Sequence, residues 1–250
     1  MKLHTIGTGS SGNCYLLVDG DEILILDAGV APTKRISKAL YSLRPARPVG
    51  CLITHEHADH SCAVSDLTRM GIRCYGSPGT AEVIRHGINV IHPLRIDKDK
   101  VTRDVRRIGR NFRVLAFPVR HDAKEPCGFL ITCTRTGERM VYITDTWCVD
   151  YSFPQINYWL IECNYCEELI TEDTPPILAR RLGESHMSLN QLCKVLSDND
   201  LHECRKIILC HVSRDRGNPG IMARRVHETT HKTVEIAVPG MTHRLSLEPF

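Results

Sequence analysis

Short apolar runs separated by glycine and polar breaks dominate the first third of the chain. Residues 2–7, 14–18 and 22–27 read as strands; Gly7-Thr8-Gly9-Ser10-Ser11-Gly12-Asn13 forms the first turn and Asp19-Gly20-Asp21 a hairpin. Thr33–Leu43 places Ile36, Leu40 and Leu43 at helical spacing, and Pro45 and Pro48 predict where that helix stops. Gly50–Thr54 is a short apolar strand that runs straight into a histidine-rich loop. Asp59–Met70 reads as a helix, Ile72–Tyr75 as a strand and Gly79–His86 as another helix. Further strands are expected at Phe112–Val119, Gly128–Cys133, Arg139–Thr144, Tyr158–Glu162, Lys206–Leu209 and Thr233–Val238. Helices are expected at Ser188–Leu196 and Pro219–Thr230, the second opening on a proline whose missing N–H costs nothing there. Strands interspersed with helices in both halves predict an α/β layered fold with mixed sheets. No repeat or linker divides the chain, so residues 1–250 read as one domain.

Composition narrows the function classes. With 250 residues, 42% hydrophobic and 24% charged, the chain can bury a sizeable core. A net charge of +3 is too mild to attract a polyanion by the overall field, so any such partner must be held by a local basic patch. No run approaches the roughly 18 apolar residues of a membrane span. Met1-Lys2-Leu3-His4-Thr5 lacks a signal peptide's apolar stretch, and a cytoplasmic location is expected. Twelve cysteines in such a chain read as reduced thiols. The tightest pair, Cys163 and Cys166, lacks the second pair a zinc ribbon needs and reads as buried packing. Oligomeric state leaves no trace in the pattern.

The chemistry concentrates at His55-Glu56-His57-Ala58-Asp59-His60, four metal-ligand side chains within six residues on a strand-to-helix loop. Residues two apart on extended chain point the same way, so His55 and His57 can hold one ion. After the chain turns, Asp59 and His60 can face a neighbouring ion. Imidazole with carboxylate suits zinc, manganese or iron. Four ligands cannot complete two ions, and His121, Asp145 and His211 each end a predicted strand, where α/β folds place their sites.

These residues carry a resemblance to the metallo-β-lactamase fold superfamily, whose members share the His-x-His-x-Asp-His loop. The chain is most similar there to the WalJ/YycJ-type hydrolases, relatives of ribonuclease Z. The supporting segments are Gly9–Asn13, Phe117–Ala123, Glu125–Phe129, Leu160–Asn164, Ser185–Ser188 and His211–Asp215. Where those proteins usually carry Asn-His, Tyr165 follows Asn164; their Gly-His-Leu-Ser becomes Ser185-His186-Met187-Ser188. The resemblance implies an αβ/βα four-layer sandwich with two mixed sheets. It also implies two divalent ions, one held by His55, His57 and His121, the other by Asp59, His60 and His211, with Asp145 bridging.

Two ions sharing a hydroxide lower the pKa of water from 15.7 towards about 7 and supply a nucleophile at neutral pH. Asp59 and His186 are the catalytic candidates. His186 matches the non-ligand histidine that ribonuclease Z-like enzymes place near the phosphate, and is expected to protonate the leaving oxygen. Gly7–Asn13 can cradle a phosphate through backbone N–H groups or simply make a tight turn; Asn13 is the residue expected to face substrate. Arg214 and Arg216 follow His211 and Arg120 precedes His121, while Arg103, Arg106, Arg107, Arg110 and Arg113 form a denser run. Such runs are usually solvated faces, but Arg214 and Arg216 are fixed beside a ligand and suit phosphate. The expected function is a dinuclear metal-dependent phosphodiesterase, a nuclease with exonuclease-like action on DNA or RNA. The alternative is a thioester or lactone hydrolase of the glyoxalase II-like type on the same fold.

Overall fold

The apolar runs become fourteen strands in two mixed sheets of seven among the described residues, which in this computed structural model are 1–84, 90–96 and 104–245. In chain order the strands are β1 (Lys2–Gly7), β2 (Cys14–Asp19), β3 (Glu22–Leu26), β4 (Arg47–Leu52), β5 (Cys74–Gly76), β6 (Ile91–Pro93), β7 (Arg106–Ile108), β8 (Phe112–Pro118), β9 (Cys127–Cys133), β10 (Arg139–Ile143), β11 (Tyr158–Glu162), β12 (Lys206–Cys210), β13 (Thr233–Ile236) and β14 (Thr242–Arg244). The helices are α1 (Lys34–Ser42), α2 (Ala58–Ser61), α3 (Val64–Arg69), α4 (Pro78–Val83), α5 (Pro176–Ser185), α6 (Leu189–Ser197) and α7 (Pro219–Thr230). The chain divides into two compact units: residues 1–118, 123–138 and 238–250, and residues 119–122 with 139–237.

In the first unit the strand order is β14-β1-β2-β3-β4-β5-β6. The hairpins β1–β2 and β2–β3 are antiparallel, and β3 to β6 run parallel. A separate antiparallel ladder joins β7, β8 and β9. The core is built by Leu16, Ile23, Ile25, Cys51 and Ile53 with Ile36 and Leu40 of α1 and Val64 and Leu67 of α3. Each large side chain buried there contributes about 1.5–3 kcal/mol. Because β3 and β4 run parallel with Leu26 opposite Leu52, Asp27 and Thr54-His55 emerge at the same sheet edge.

In the second unit β10, β11, β12 and β13 are parallel neighbours. All five residues of β11 are buried, as a central parallel strand requires. The register pairs Ile143 with Ile161 and Glu162 with Cys210, so Asp145, Glu162 and His211 leave the sheet at one edge. Helix α6 packs on α7, and α7 on β13. Ser188 caps α6, its hydroxyl accepting from the Gln191 N–H at 3.1 Å.

Several expectations are corrected. The helix expected over Asp59–Met70 is two, because Ala63 N–H leaves the helical ladder and donates to Ala28 O (2.8 Å). Strand β4 begins at Arg47 rather than Gly50 and includes Pro48 beside a register shift between Ile23 and Leu24, where a missing donor is tolerated. Strands β6, β7 and β14 have only three residues each, too few to leave an alternating pattern. Helix α5 was not expected; it opens on Pro176, in the first turn where proline is compatible. Residues Arg85 and His86 of the helix expected at Gly79–His86, and Arg103 of the arginine run, lie outside the described residues. All twelve cysteines are free, Cys163 and Cys166 among the buried ones. No helix among the described residues is long and apolar enough to cross a membrane.

Candidate metal centre

Backbone hydrogen bonds stitch the histidine loop of the first unit to two glycine-bearing segments. Asn13 N–H donates to Asp59 O (2.7 Å), Ala28 N–H to His60 O (2.8 Å) and Gly29 N–H to Asn13 O (2.9 Å). A side chain has no room in this seam: a Cβ on Gly12 would lie 2.2 Å from Gly29 O, and one on Gly29 only 1.6 Å from Asp59 O. The glycines therefore permit backbone-to-backbone packing. Within the Gly7–Asn13 turn the N–H groups of Gly9 and Gly12 are satisfied by Asn13 Oδ1 and Gly9 O, and that of Asn13 by Asp59 O, which favours the tight-turn reading over a phosphate cradle.

Asp27 is the organising residue of this half. It is fully buried, accepts from Thr54 N–H at 2.8 Å and from the Thr54 hydroxyl, and accepts from His60 Nδ1 at 2.8 Å. With its own proton given to Asp27, the Thr54 oxygen accepts from His55 Nδ1 at 3.0 Å. Both rings are thus protonated at Nδ1 and present the Nε2 lone pair. His55 Nε2 faces His57 Nδ1 at 3.0 Å, and His60 Nε2 faces Asp59 Oδ2 at 3.6 Å. Asn13 is fully buried; its amide contacts Gly9 O and His60 Nε2 (3.0 Å), and its oxygen accepts from Gly9 N–H. It therefore holds the turn against His60.

The second unit assembles the strand-end residues. His121 Nδ1 donates to the Ser185 carbonyl at 2.9 Å, which leaves Nε2 beside Asp122 Oδ1 (3.1 Å) and Asp145 Oδ2 (3.6 Å). Burial holds the His121 pKa below its usual value despite the neighbouring Asp145 carboxylate, which favours the neutral, ligating form. His211 Nε2 lies 3.4 Å from Asp145 Oδ1, so each oxygen of one carboxylate faces a different imidazole. Behind them sits Glu162, with no solvent exposure. It accepts from His186 Nδ1 (2.7 Å), His211 Nδ1 (3.2 Å), Thr146 N–H (3.0 Å) and Met187 N–H (3.3 Å). The Asn164 amide steadies the same segment by donating to His211 O at 3.0 Å. Burial opposes the His186 imidazolium, but Glu162 outweighs it and raises that pKa, while His186 lowers the Glu162 pKa against burial. Asp145, Glu162, His186 and His211 present donor atoms within 4.8 Å of one another.

The donor set fits divalent cations. His55, His60, His121 and His211 are each anchored through Nδ1 by an oxygen acceptor, the second layer that fixes a ligating histidine's tautomer. Asp27 (φ 57°), Asp145 (φ 46°) and His211 (φ 51°) all adopt the left-handed backbone that non-glycine residues avoid, at about 1–3 kcal/mol each. Such strain at three strand ends marks a site the surrounding fold must hold in place. Reasoning from sequence assigned no role to Asp27 or Glu162. The available signal was an acid directly following or ending an apolar strand, as with Asp145. Asp27→Asn, whose side chain tolerates the left-handed backbone, is expected to weaken zinc or manganese binding about 10–100-fold in metal titrations. Unchanged affinity would show that Asp27 serves only the fold.

The arginines divide into two groups. Arg110 is paired with exposed Asp21 and with buried Glu22, and Arg225 with exposed Glu168. Arg214 is exposed, while Arg216 is half-buried with its Nε enclosed and without a hydrogen-bond partner among the described residues.

Known proteins place this arrangement. Residues 24–212 match the family described as the Beta-lactamase superfamily domain. Exodeoxyribonuclease YycJ of Bacillus anthracis is 26% identical over 230 residues, covering 86% of this chain and 84% of its own. Exodeoxyribonuclease WalJ of Streptococcus pneumoniae is also 26% identical, covering 86% and 82%. Among solved structures, the metallo-beta-lactamase fold protein YhfI from Bacillus subtilis superposes with a TM-score of 0.70 at 18% identity, covering 97% and 98% of the two chains. The short form of human tRNase Z follows at 0.69 and 16%, covering 99% and 100%. With the histidine and aspartate donor sets, these relatives make the protein a metal-dependent hydrolase. By the match over 24–212 and the fold it shares, the chain belongs to the Beta-lactamase superfamily.

Proposed function

We propose that the chain is a dinuclear metal-dependent phosphodiesterase, a nuclease with exonuclease-like action on DNA or RNA, whose 250 residues work as one catalytic domain in the cytoplasm. The nucleic-acid substrate follows the two relatives named exodeoxyribonucleases. In the family's ligand pattern His55, His57 and His121 would hold one ion and Asp59, His60 and His211 the other, with Asp145 contributing to both. Zinc, manganese and iron all suit these donors. When bound, the ions supply a nucleophile at neutral pH and neutralise charge on the phosphoryl group.

The observation that carries the reading is the Glu162–His186 pair beside Asp145 and His211. A phosphodiester needs a proton for its leaving oxygen, and His186 is built to give one. Glu162 binds its Nδ1 at 2.7 Å and favours the imidazolium, while the His186 side chain is 14% exposed. Its Nε2 proton is then the transferable one. A thioester hydrolase has less need of this acid, because a thiolate leaves more readily than an alkoxide. Asp59 orients the nucleophile, Asn13 positions His60 rather than touching substrate, and Arg214 and Arg216 bind phosphate.

His186→Ala is expected to lower turnover about 10²–10⁴-fold with metal content unchanged. A fully active variant would remove His186 from the mechanism, and loss of metal would make it a ligand instead. The general test combines metal analysis with cleavage of 5′- and 3′-labelled single- and double-stranded DNA and RNA, with His57→Ala as control. Polymer cleavage abolished in that control supports the proposal. Turnover of acyl thioesters with no polymer cleaved would replace it with the glyoxalase II-like alternative.

A further inference from the structure

The second unit contains a cleft of about 640 Å³ that none of the residues assigned above explains, apart from His121 in its wall. We propose that it binds one nucleotide of the nucleic-acid chain next to the cleaved bond, with the base stacked on Trp147 and a phosphate held by Arg181; this rests on the nuclease reading. The volume lies within the roughly 300–1,000 Å³ of small-ligand clefts.

Three features of the wall point to a nucleotide. Trp147 is 37% exposed, and the Arg120 guanidinium lies over its ring at 5.2 Å, itself held in place by Asp150. With a cation over one ring face, the other face is an aromatic platform of the kind on which bases stack with little sequence preference. Ile177, at the start of α5, is 85% exposed and lines the same cleft, adding an apolar contact suited to a base rather than to an ion. The charges are sorted as well. Arg180 is engaged by Glu184 at 2.8 Å, whereas Arg181 makes no ion pair among the described residues and is left to meet an anion. His121 Nε2 lies between Asp122, which also lines the cleft (3.1 Å), and Asp145 (3.6 Å), so one end of the cleft lies at the proposed metal ligands. A purely apolar occupant would leave the Arg181 guanidinium unmatched, and a bare anion would not use Trp147 or Ile177. A nucleotide uses both.

The test is binding of single-stranded oligonucleotides with phosphorothioate linkages that slow cleavage, carrying 2-aminopurine at the 5′ end, at the 3′ end or internally. With the full-length chain, one position is expected to be quenched on binding, and an abasic residue there should weaken binding roughly tenfold. Trp147→Ala should abolish the quench and weaken binding of the normal strand by a similar factor, without weakening the abasic strand further. Trp147→Phe should restore most of the difference. Arg181→Ala should weaken normal and abasic strands alike and reduce the salt dependence. Equal loss by Trp147→Ala on both strands, or quenching at no position, overturns the subsite while cleavage by the parent chain leaves the nuclease reading standing. An oligonucleotide that is neither bound nor cleaved overturns both.

Discussion

Glu162→Ala is expected to destabilise the fold by about 3–5 kcal/mol and to abolish measurable turnover. The carboxylate lies at the end of a central strand with no solvent exposure and satisfies two imidazoles and two backbone N–H groups. Alanine leaves four donors without their acceptor, two of them on rings whose orientation depends on it. Urea unfolding reads the stability, and hydrolysis of a labelled oligonucleotide reads the activity. Glu162→Gln separates the two effects because it keeps the volume but loses the charge. The fold should largely survive, and turnover should fall about 10²–10⁴-fold. Since Glu162 raises the His186 pKa, its loss lets the imidazolium lose its proton at lower pH. The alkaline limb of the turnover profile should therefore move down. A limb that stays in place would mean that another group donates the proton.

Gly29→Ala has an expected cost of about 4 kcal/mol or more, for the addition of one methyl group. The new carbon would lie 1.6 Å from Asp59 O and 2.5 Å from His60 N, both backbone atoms that cannot rotate away. Relief requires the His57–His60 segment to withdraw from Asn13 and Ala28, breaking the hydrogen bonds that seat it. Metal stoichiometry should fall with stability, since the displaced residues are the proposed ligands. Gly183→Ala provides the contrast. Gly183 lies within α5 with nothing within 4 Å of an added carbon, and alanine there should stabilise by about 0.5–1 kcal/mol. Wild-type stability and metal content in Gly29→Ala would contradict the close packing of this seam.

Much of the scaffold was legible because local pattern carries it. The runs at β2, β3, β8 and β11 are bounded by turn residues, and the spacing of Ile36 and Leu40 is helical whatever the rest of the chain does. The misses share a physical cause. Ala63 leaves its helix because a carbonyl 35 positions earlier accepts its N–H, and β6, β7 and β14 are strands only because a neighbour pairs with them. Glu162 was visible as the end of an apolar run. Nothing local announced that it would be enclosed with two histidines 24 and 49 positions later.

The donor chemistry is written in the chain itself: His55, His57, Asp59 and His60 crowd after a strand, with His121, Asp145 and His211 at three other strand ends. Ligand type and spacing are covalent facts, and they survive any uncertainty about packing. Tertiary structure alone decided how those donors are held. It placed Asp27 and Thr54 behind His55 and His60, and Glu162 behind His186 and His211. It also turned Asn13 inward, and it put Trp147 and Arg181 into one cleft wall. These are contacts between residues distant in the chain, and their geometry follows from strand register and burial, which no local pattern records.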